Sequence, residues 1–269
     1  MNIPLPQSEP AFIDGMPDAT YRGALGLAQS SLKKFLVSPA HYLASLEEKK
    51  EPTKAMLFGS AYHAHILAKD HTQFYAVKEK VDGRSKEGKE YNQQFAIDNV
   101  GKIVIDKEEH ETILAMADAL HSHLLASHLI ANATHREVAV FGDYQTATGN
   151  IRLKGMIDGY DEISGNIFDI KTAEDASPNG FRKAIWDRRY DIQQVHYQWL
   201  LNHNCKPVNN FYFIAQEKTA PYAVGVYIVS ANSILKTSEH WKTTLESFQV
   251  CQSSGNYPAY SEHAVSISL

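Results

Sequence analysis

The chain has 269 residues, 43% of them hydrophobic, which is enough for one large core. Its net charge of −5, from 31 acidic against 26 basic residues, argues against a protein that coats nucleic acid nonspecifically, because such binding rests on excess lysine and arginine. No apolar run approaches the ~20 residues of a bilayer span, the start MNIPLPQSEP lacks the basic and apolar stretches of a signal peptide, and two cysteines, Cys205 and Cys251, are too few for a disulfide framework, so the expectation is a cytoplasmic protein with free thiols and no membrane association.

In chain order, residues 1–25 are rich in Pro, Gly and Ala without periodicity and read as an extended N-terminal arm, ahead of a single domain over 26–269. QSSLKKFLVSPAHYLASLEE reads as helical, with Ser30 or Ser31 able to cap and Pro39 marking a break or second start. MLFGSAYHAHILAKD has apolar residues at helical spacing and is expected to be buried. The charged loop VDGRSKEGKE then leads to helices near 87–99 and 107–130. From His135 the texture changes: REVAVFGDY, NIRLKGMIDGY and NIFDIKTA are strand candidates separated by turn residues, the pattern of an antiparallel meander. Two helices follow, PNGFRKAIW and YDIQQVHYQWLLNH, then strands at NNFYFIAQ and YAVGVYIVS and a last helix near 231–252. This order predicts an α/β or α+β domain whose central mixed sheet is flanked by helices.

The chemistry concentrates in KGMIDGYDEISGNIFDIKTA, residues 154–173. On a strand, Asp169 and Lys171 are two apart and share a face, while Ile170 points away. DEISG supplies turn residues, and a hairpin centred between Ile163 and Ser164 sets Asp158 across from Asp169. Two carboxylates that close repel unless a cation lies between them. Asp-x-Lys also suits a solvated sheet face, but Met156, Ile157, Phe168 and Ile170 flank these acids with apolar residues, and buried acids need partners.

Other residues can join them. His63 lies on the buried-looking helix four residues after Gly59, whose lack of a side chain would let another element approach. His65 points to a different helical face and gives no zinc site. Gln193 and Tyr197 stack four apart on one helical face, able to hold a phosphate or steady a ligand; the same spacing suits a polar stripe. Glu137 opens the first meander strand and can feed the site or face solvent. Basic residues cluster at Lys33–Lys34, Arg84–Lys89 and Arg182–Arg189, the first of these reading as a solvated helix face.

Five motifs in order, G-S-A-Y-H at 59–63, R-E-V at 136–138, K-G-M-I-D at 154–158, D-I-K-T at 169–172 and Q-Q-V-H-Y at 193–197, resemble the RecB-like branch of the PD-(D/E)XK nuclease superfamily, within it the RecE (exonuclease VIII) nuclease domains. The opening S-S-L-K-K-F-L-V-S-P-A-H-Y at 30–42 is similar too, and coverage runs from about 28 to 215. The resemblance implies a restriction-endonuclease-like core, magnesium or manganese as cofactor, and DNA as substrate. Ser38 stands where iron-sulfur relatives carry a cysteine and a late cysteine trio is missing, which implies no iron-sulfur cluster. Carried over, it makes His63, Asp158, Asp169 and the Ile170 carbonyl metal ligands and has Lys171 orient or deprotonate the attacking water. Gln193, Tyr197 and Glu137 would support the catalytic group, and Arg84, Lys86 and Lys89 are candidates to grip DNA. It further implies 5′ to 3′ digestion of one strand from linear double-stranded DNA ends, a homo-oligomeric ring, and a RecT-like single-strand annealing partner for recombination. An endonuclease or nickase on the same fold, and a non-catalytic DNA-binding scaffold, are the competing readings.

Overall fold

The computed structural model describes residues 10–48, 51–261 and 263–266. Its centre is a seven-stranded mixed sheet. In spatial order this runs β1 (Ala11–Ile13), β5 (His135–Gln145), β6 (Asn150–Asp161), β7 (Asn166–Ala173), β8 (Phe211–Glu217) and β9 (Val224–Tyr227), with β2 (Leu27–Ala28) pairing alongside β6. The meander β5–β6–β7 is antiparallel as expected, β7 and β8 are parallel, and β9 closes the edge antiparallel. A separate parallel pair, β3 (Tyr75–Lys78) and β4 (Ile103–Asp106), was not anticipated, being four residues each and joined across distant sequence.

Helices cover both faces. One core lies under α2 (Gln29–Val37), α9 (Tyr190–His203) and α10 (Ala231–Ser254), and unites Leu32 and Phe35 with Val140, Leu153, Leu200, Phe213 and Trp241. The other lies under α4 (Lys54–Leu67), α6 (Lys107–Ser122) and α7 (Leu124–Asn132), and joins Tyr62, Ile113 and Met116 to Phe168, Ile170 and Ile214. Alternate side chains of β7 therefore enter opposite cores: Ile167 the first, Phe168 and Ile170 the second. The remaining helices are α1 (Asp18–Gly23), α3 (Pro39–Glu47), α5 (Lys86–Asp98) and α8 (Pro178–Arg188).

Local chemistry sets the helix ends. Neither Ser30 nor Ser31 caps α2, whose N-cap is Ala28 with no side-chain bond; at the second start Ser38 caps α3, its Oγ accepting from the His41 amide at 3.2 Å, and Pro39 occupies the first turn of α3 where its missing N–H costs nothing. Asp106 and Glu109 form a reciprocal capping box at the start of α6. The expected single helix over 107–130 is two, α6 and α7, bent by 94° at His123, whose ring caps Ala126. No single helix among the described residues is long and apolar enough to cross a membrane.

The extended arm expected over 1–25 is corrected within its described part. Residues 11–13 form β1 against β5, and α1 folds beneath it, with Met16 and Ala24 buried against Ala139 and Phe141. Three strand residues and six helical ones are too few to register as periodicity. What anchors them is distant: the buried Lys154 ammonium donates to the carbonyls of Tyr21, Arg22 and Ala24 at 3.0, 3.3 and 2.7 Å. The first nine residues of the proposed arm lie outside the described residues.

Candidate active site

The site lies where the central hairpin splits. β6 and β7 pair at Asp161–Asn166, Tyr160–Ile167 and Gly159–Phe168, the register that puts Asp158 and Asp169 next in line. There the ladder stops. Further back, β6 turns the same edge to β2 through Leu153 and Lys154, so a fork opens between β2 and β7 with Asp158 at its apex. Asp158 Oδ2 accepts from the Ile170 amide at 2.8 Å, satisfying a backbone donor that the lost pairing would orphan.

A break in strand alternation turns Asp158 toward the fork. Ile157 and Tyr160, three residues apart, enter the same core, so the period of two slips between them. On the neighbouring strand the pairs Arg136–Gly159 and Val138–Ile157 bracket Glu137, which faces Asp158 with φ 49°. A glutamate in the left-handed region costs on the order of 1–3 kcal/mol, and such strain persists only where surrounding structure enforces it. Burial, then the Asp158 charge, raise the pKa of Glu137.

Asp169 is the buried centre, 1% exposed. Lys171, two residues on and on the same face, places Nζ 2.5 Å from its Oδ2, and Gln193 on α9 donates from Nε2 to Oδ1. Burial opposes the charge of Lys171, but Asp169, Asp158 and Tyr190 outweigh it and hold the amine above its ordinary pKa, firmly an ammonium. Asp158 is raised in turn, by burial first and then by Asp169, while His63 and Lys171 draw it back. His63 on α4 brings Nδ1 to 3.5 Å from Asp158 Oδ2. Its neighbour Gly59 does not serve the close approach expected of it: a Cβ there would meet only Thr172 Oγ1, at 3.9 Å, an ordinary contact.

Tyr197 lies one turn below Gln193, buried, its hydroxyl pKa raised well above normal by burial and by the charges nearby. The glycine that matters is Gly155 of the K-G-M-I-D motif. A Cβ there would come within 2.9 Å of both Tyr197 Cε1 and Leu200 Cδ1, so its absence lets α9 lie close on β6.

The structure thus brings together Glu137, Asp158, Asp169, Lys171, His63 and Gln193, with Tyr197 in the wall. Ile170 contributes its amide to Asp158. Arg84, Lys86 and Lys89 stand apart, exposed between β3 and the first turn of α5; Lys86 reaches Glu90 at 3.9 Å, and no hydrogen bond or ion pair among the described residues ties the three to the acidic cluster. The solvated face expected for Lys33 and Lys34 holds only for Lys34. Lys33 is partly buried against Tyr190 beside Lys171, and burial followed by the Lys171 charge lowers its pKa to about 7. No sequence motif marks it, because the packing of α2 on α9 decides which face of α2 meets the site.

Oxygen donors crowded by burial and mutual repulsion suit a hard divalent cation, and the buried Asp169 Oδ2 has the lysine ion pair but no well-directed hydrogen bond. Among the described residues no three His, Cys, Asp or Glu side chains form a ready-made cage. A cation of the magnesium type fits such a place, since it is commonly bound through one or two carboxylates and keeps water and substrate phosphate in its shell.

No curated protein matches the sequence. Among solved structures the chain is similar to a presumed exonuclease from Eubacterium rectale, with TM-score 0.59 and 14% identity over 91% of this chain and 90% of that one, a likeness of fold. A phage-related exonuclease from Haemophilus somnus superposes too loosely to add weight, with TM-score 0.38 and 12% identity over 86% of this chain and 96% of that one. Residues 28–268 match the family described as a PDDEXK-like domain of unknown function (DUF3799). With that match spanning nearly the whole chain, and a forked sheet carrying Asp158, Asp169 and Lys171 at its apex, the chain belongs to the DUF3799 family of PDDEXK-like domains.

Proposed function

We propose that the protein is a metal-dependent exodeoxyribonuclease that digests one strand of linear double-stranded DNA, 5′ to 3′, leaving 3′ single-stranded tails for recombination by strand annealing. The observation that carries this reading is Asp169, buried between Lys171 and Gln193 and adjacent to Asp158 at the fork. Asp158 and Asp169 would hold magnesium or manganese, with the Ile170 carbonyl and His63 as further donors. When bound, such an ion polarises a scissile phosphate and lowers the pKa of an attacking water.

The remaining work falls to the side chains. Gln193 locks the Asp169 carboxylate in one orientation. Lys171 neutralises charge developing on the phosphate and orients the attacking water. Glu137 adds a third carboxyl beside Asp158, and His63 holds Nδ1 3.5 Å from Asp158 Oδ2. Tyr197 supports the wall from which Gln193 projects. Arg84, Lys86 and Lys89 would guide the strand toward the site. A closed ring of subunits, which would explain processivity, and a RecT-like annealing partner belong to this reading through the likeness to RecE nuclease domains.

The test is incubation with Mg²⁺ and either linear or covalently closed duplex DNA. Loss of linear DNA alone, with 5′-labelled ends released first, supports the reading. Cutting of closed circles moves the function to an endonuclease, and no cleavage of either by folded protein leaves only a DNA-binding scaffold.

A further inference from the structure

Lys33 places its amine beside the fork, against Tyr190, where its protonated form has no ion-pair partner among the described residues. Its Nζ lies 5.2 Å from the centroid of the Tyr190 ring, and Lys171 Nζ lies 5.0 Å from the same centroid. Two ammonium groups on one ring repel, more strongly in a partly buried place than in water. The acids that could offset Lys33 are already engaged. Asp169 is paired with Lys171 and bonded by Gln193. Asp191 takes both arms of the Arg189 guanidinium, at 3.1 and 3.2 Å, and the Thr237 hydroxyl at 2.9 Å. Among the described residues Lys33 has no ion pair within 4 Å, although its helix is fixed by the buried Leu32 and Phe35 on either side. A surface lysine swings freely, whereas this one is held with its charge beside the fork.

We propose that Lys33 binds a backbone phosphate of the DNA strand lying in the fork, making it a substrate-binding residue of the active site. The inference rests on the nuclease reading above. A phosphate bound by Lys33 would offset the repulsion it feels from Lys171. Because one ammonium contacts a phosphate as a point charge, the contact fixes the strand's position and carries no base preference.

Lys34 provides the control, being adjacent in sequence, exposed and of equal charge. Binding of linear duplex by the full chain is measured in EDTA, so that nothing is cut, across a salt series for the natural protein, Lys33→Gln, Lys33→Arg and Lys34→Gln. Lys33→Gln is expected to weaken binding about three- to tenfold near 0.1 M salt and to reduce the slope of log K against log salt by about one, the loss of a single phosphate contact. Lys33→Arg restores the slope and Lys34→Gln leaves it unchanged. With Mg²⁺ present, Lys33→Gln raises KM more than it lowers kcat. A Lys33→Gln protein that keeps the natural salt slope and KM overturns this inference while leaving the nuclease reading intact. A natural protein that neither binds nor cuts DNA overturns both.

Discussion

Asp158 Oδ2 accepts a hydrogen bond from the Ile170 amide at 2.8 Å, so a side chain of one hairpin strand stands in for the backbone rung that the other has lost. The substitution lets two adjacent strands part without orphaning a donor, and it aims a carboxylate into the gap. Everything placed in the site depends on that opening.

Gln193 is expected to act on rate more than on stability. A hydrogen bond to a charged acceptor is worth about 1.5–3 kcal/mol, so Gln193→Leu, which leaves Asp169 free to rotate, should reduce kcat by about 10- to 100-fold. Circular dichroism and a denaturation curve establish that the variant is folded. A kcat within twofold of the natural enzyme would show that Asp169 is oriented without it.

Glu137 separates strain from function. Glycine accepts φ 49° without the clash that a glutamate suffers, so Glu137→Gly should unfold at an equal or higher urea concentration, a gain of up to about 1 kcal/mol once glycine's own entropy cost is included. The same variant should lose activity. If Glu137→Gly proves less stable than Glu137→Ala, the positive φ is not a source of strain.

Lys154 ties the N-terminal segment to the sheet. Lys154→Met removes a charged donor from three carbonyls, and a loss on the order of 2–4 kcal/mol is expected together with faster proteolysis between residues 14 and 26. Unchanged proteolysis there would mean that Met16 and Ala24 alone hold α1 in place.

His196 makes stability depend on pH. Its Nε2 meets the Lys154 carbonyl at 3.1 Å and its Nδ1 meets Trp241 Nε1 at 3.4 Å, a pairing that requires the neutral ring with its proton on Nε2. Burial lowers its pKa to about 4 from 6.5. The unfolded chain therefore takes up a proton below about pH 6.5 that the native protein refuses until about pH 4, so stability is full above that window and falls through it, by on the order of 3 kcal/mol in all. Urea unfolding at pH 7 and pH 5 should show a larger loss for the natural protein than for His196→Gln, and parallel losses would exclude His196 as the cause.

Much of the hairpin was legible because its determinants are local. The turn DEISG and the alternation of Phe168, Asp169, Ile170 and Lys171 fix the register, which the structure keeps up to Gly159–Phe168, although the ladder ends before the expected Asp158–Asp169 pair. The break at Asp158–Gly159 leaves no mark in the sequence, where the strand pattern runs on unbroken, and the strained Glu137 that accompanies it is a property of two strands together. The bend at His123 is hidden because apolar residues resume directly after it, at Leu124 and Leu125, with no proline or glycine to mark a break. Lys33 was invisible for a different reason: Lys33 and Lys34 look alike in sequence, and only the seating of α2 against Tyr190 tells them apart.

The central claim is that Lys171 at the fork is part of a DNA-cleaving centre. The direct measurement is kcat for Mg²⁺-dependent digestion of linear duplex by Lys171→Met, with Lys171→Gln alongside because breaking a buried pair with Asp169 can cost about 3–5 kcal/mol of stability. The account predicts that whichever variant remains folded binds DNA but loses at least about a thousandfold in kcat, the scale of removing a preorganised transition-state donor. A folded variant that digests linear DNA within tenfold of the natural rate would contradict it.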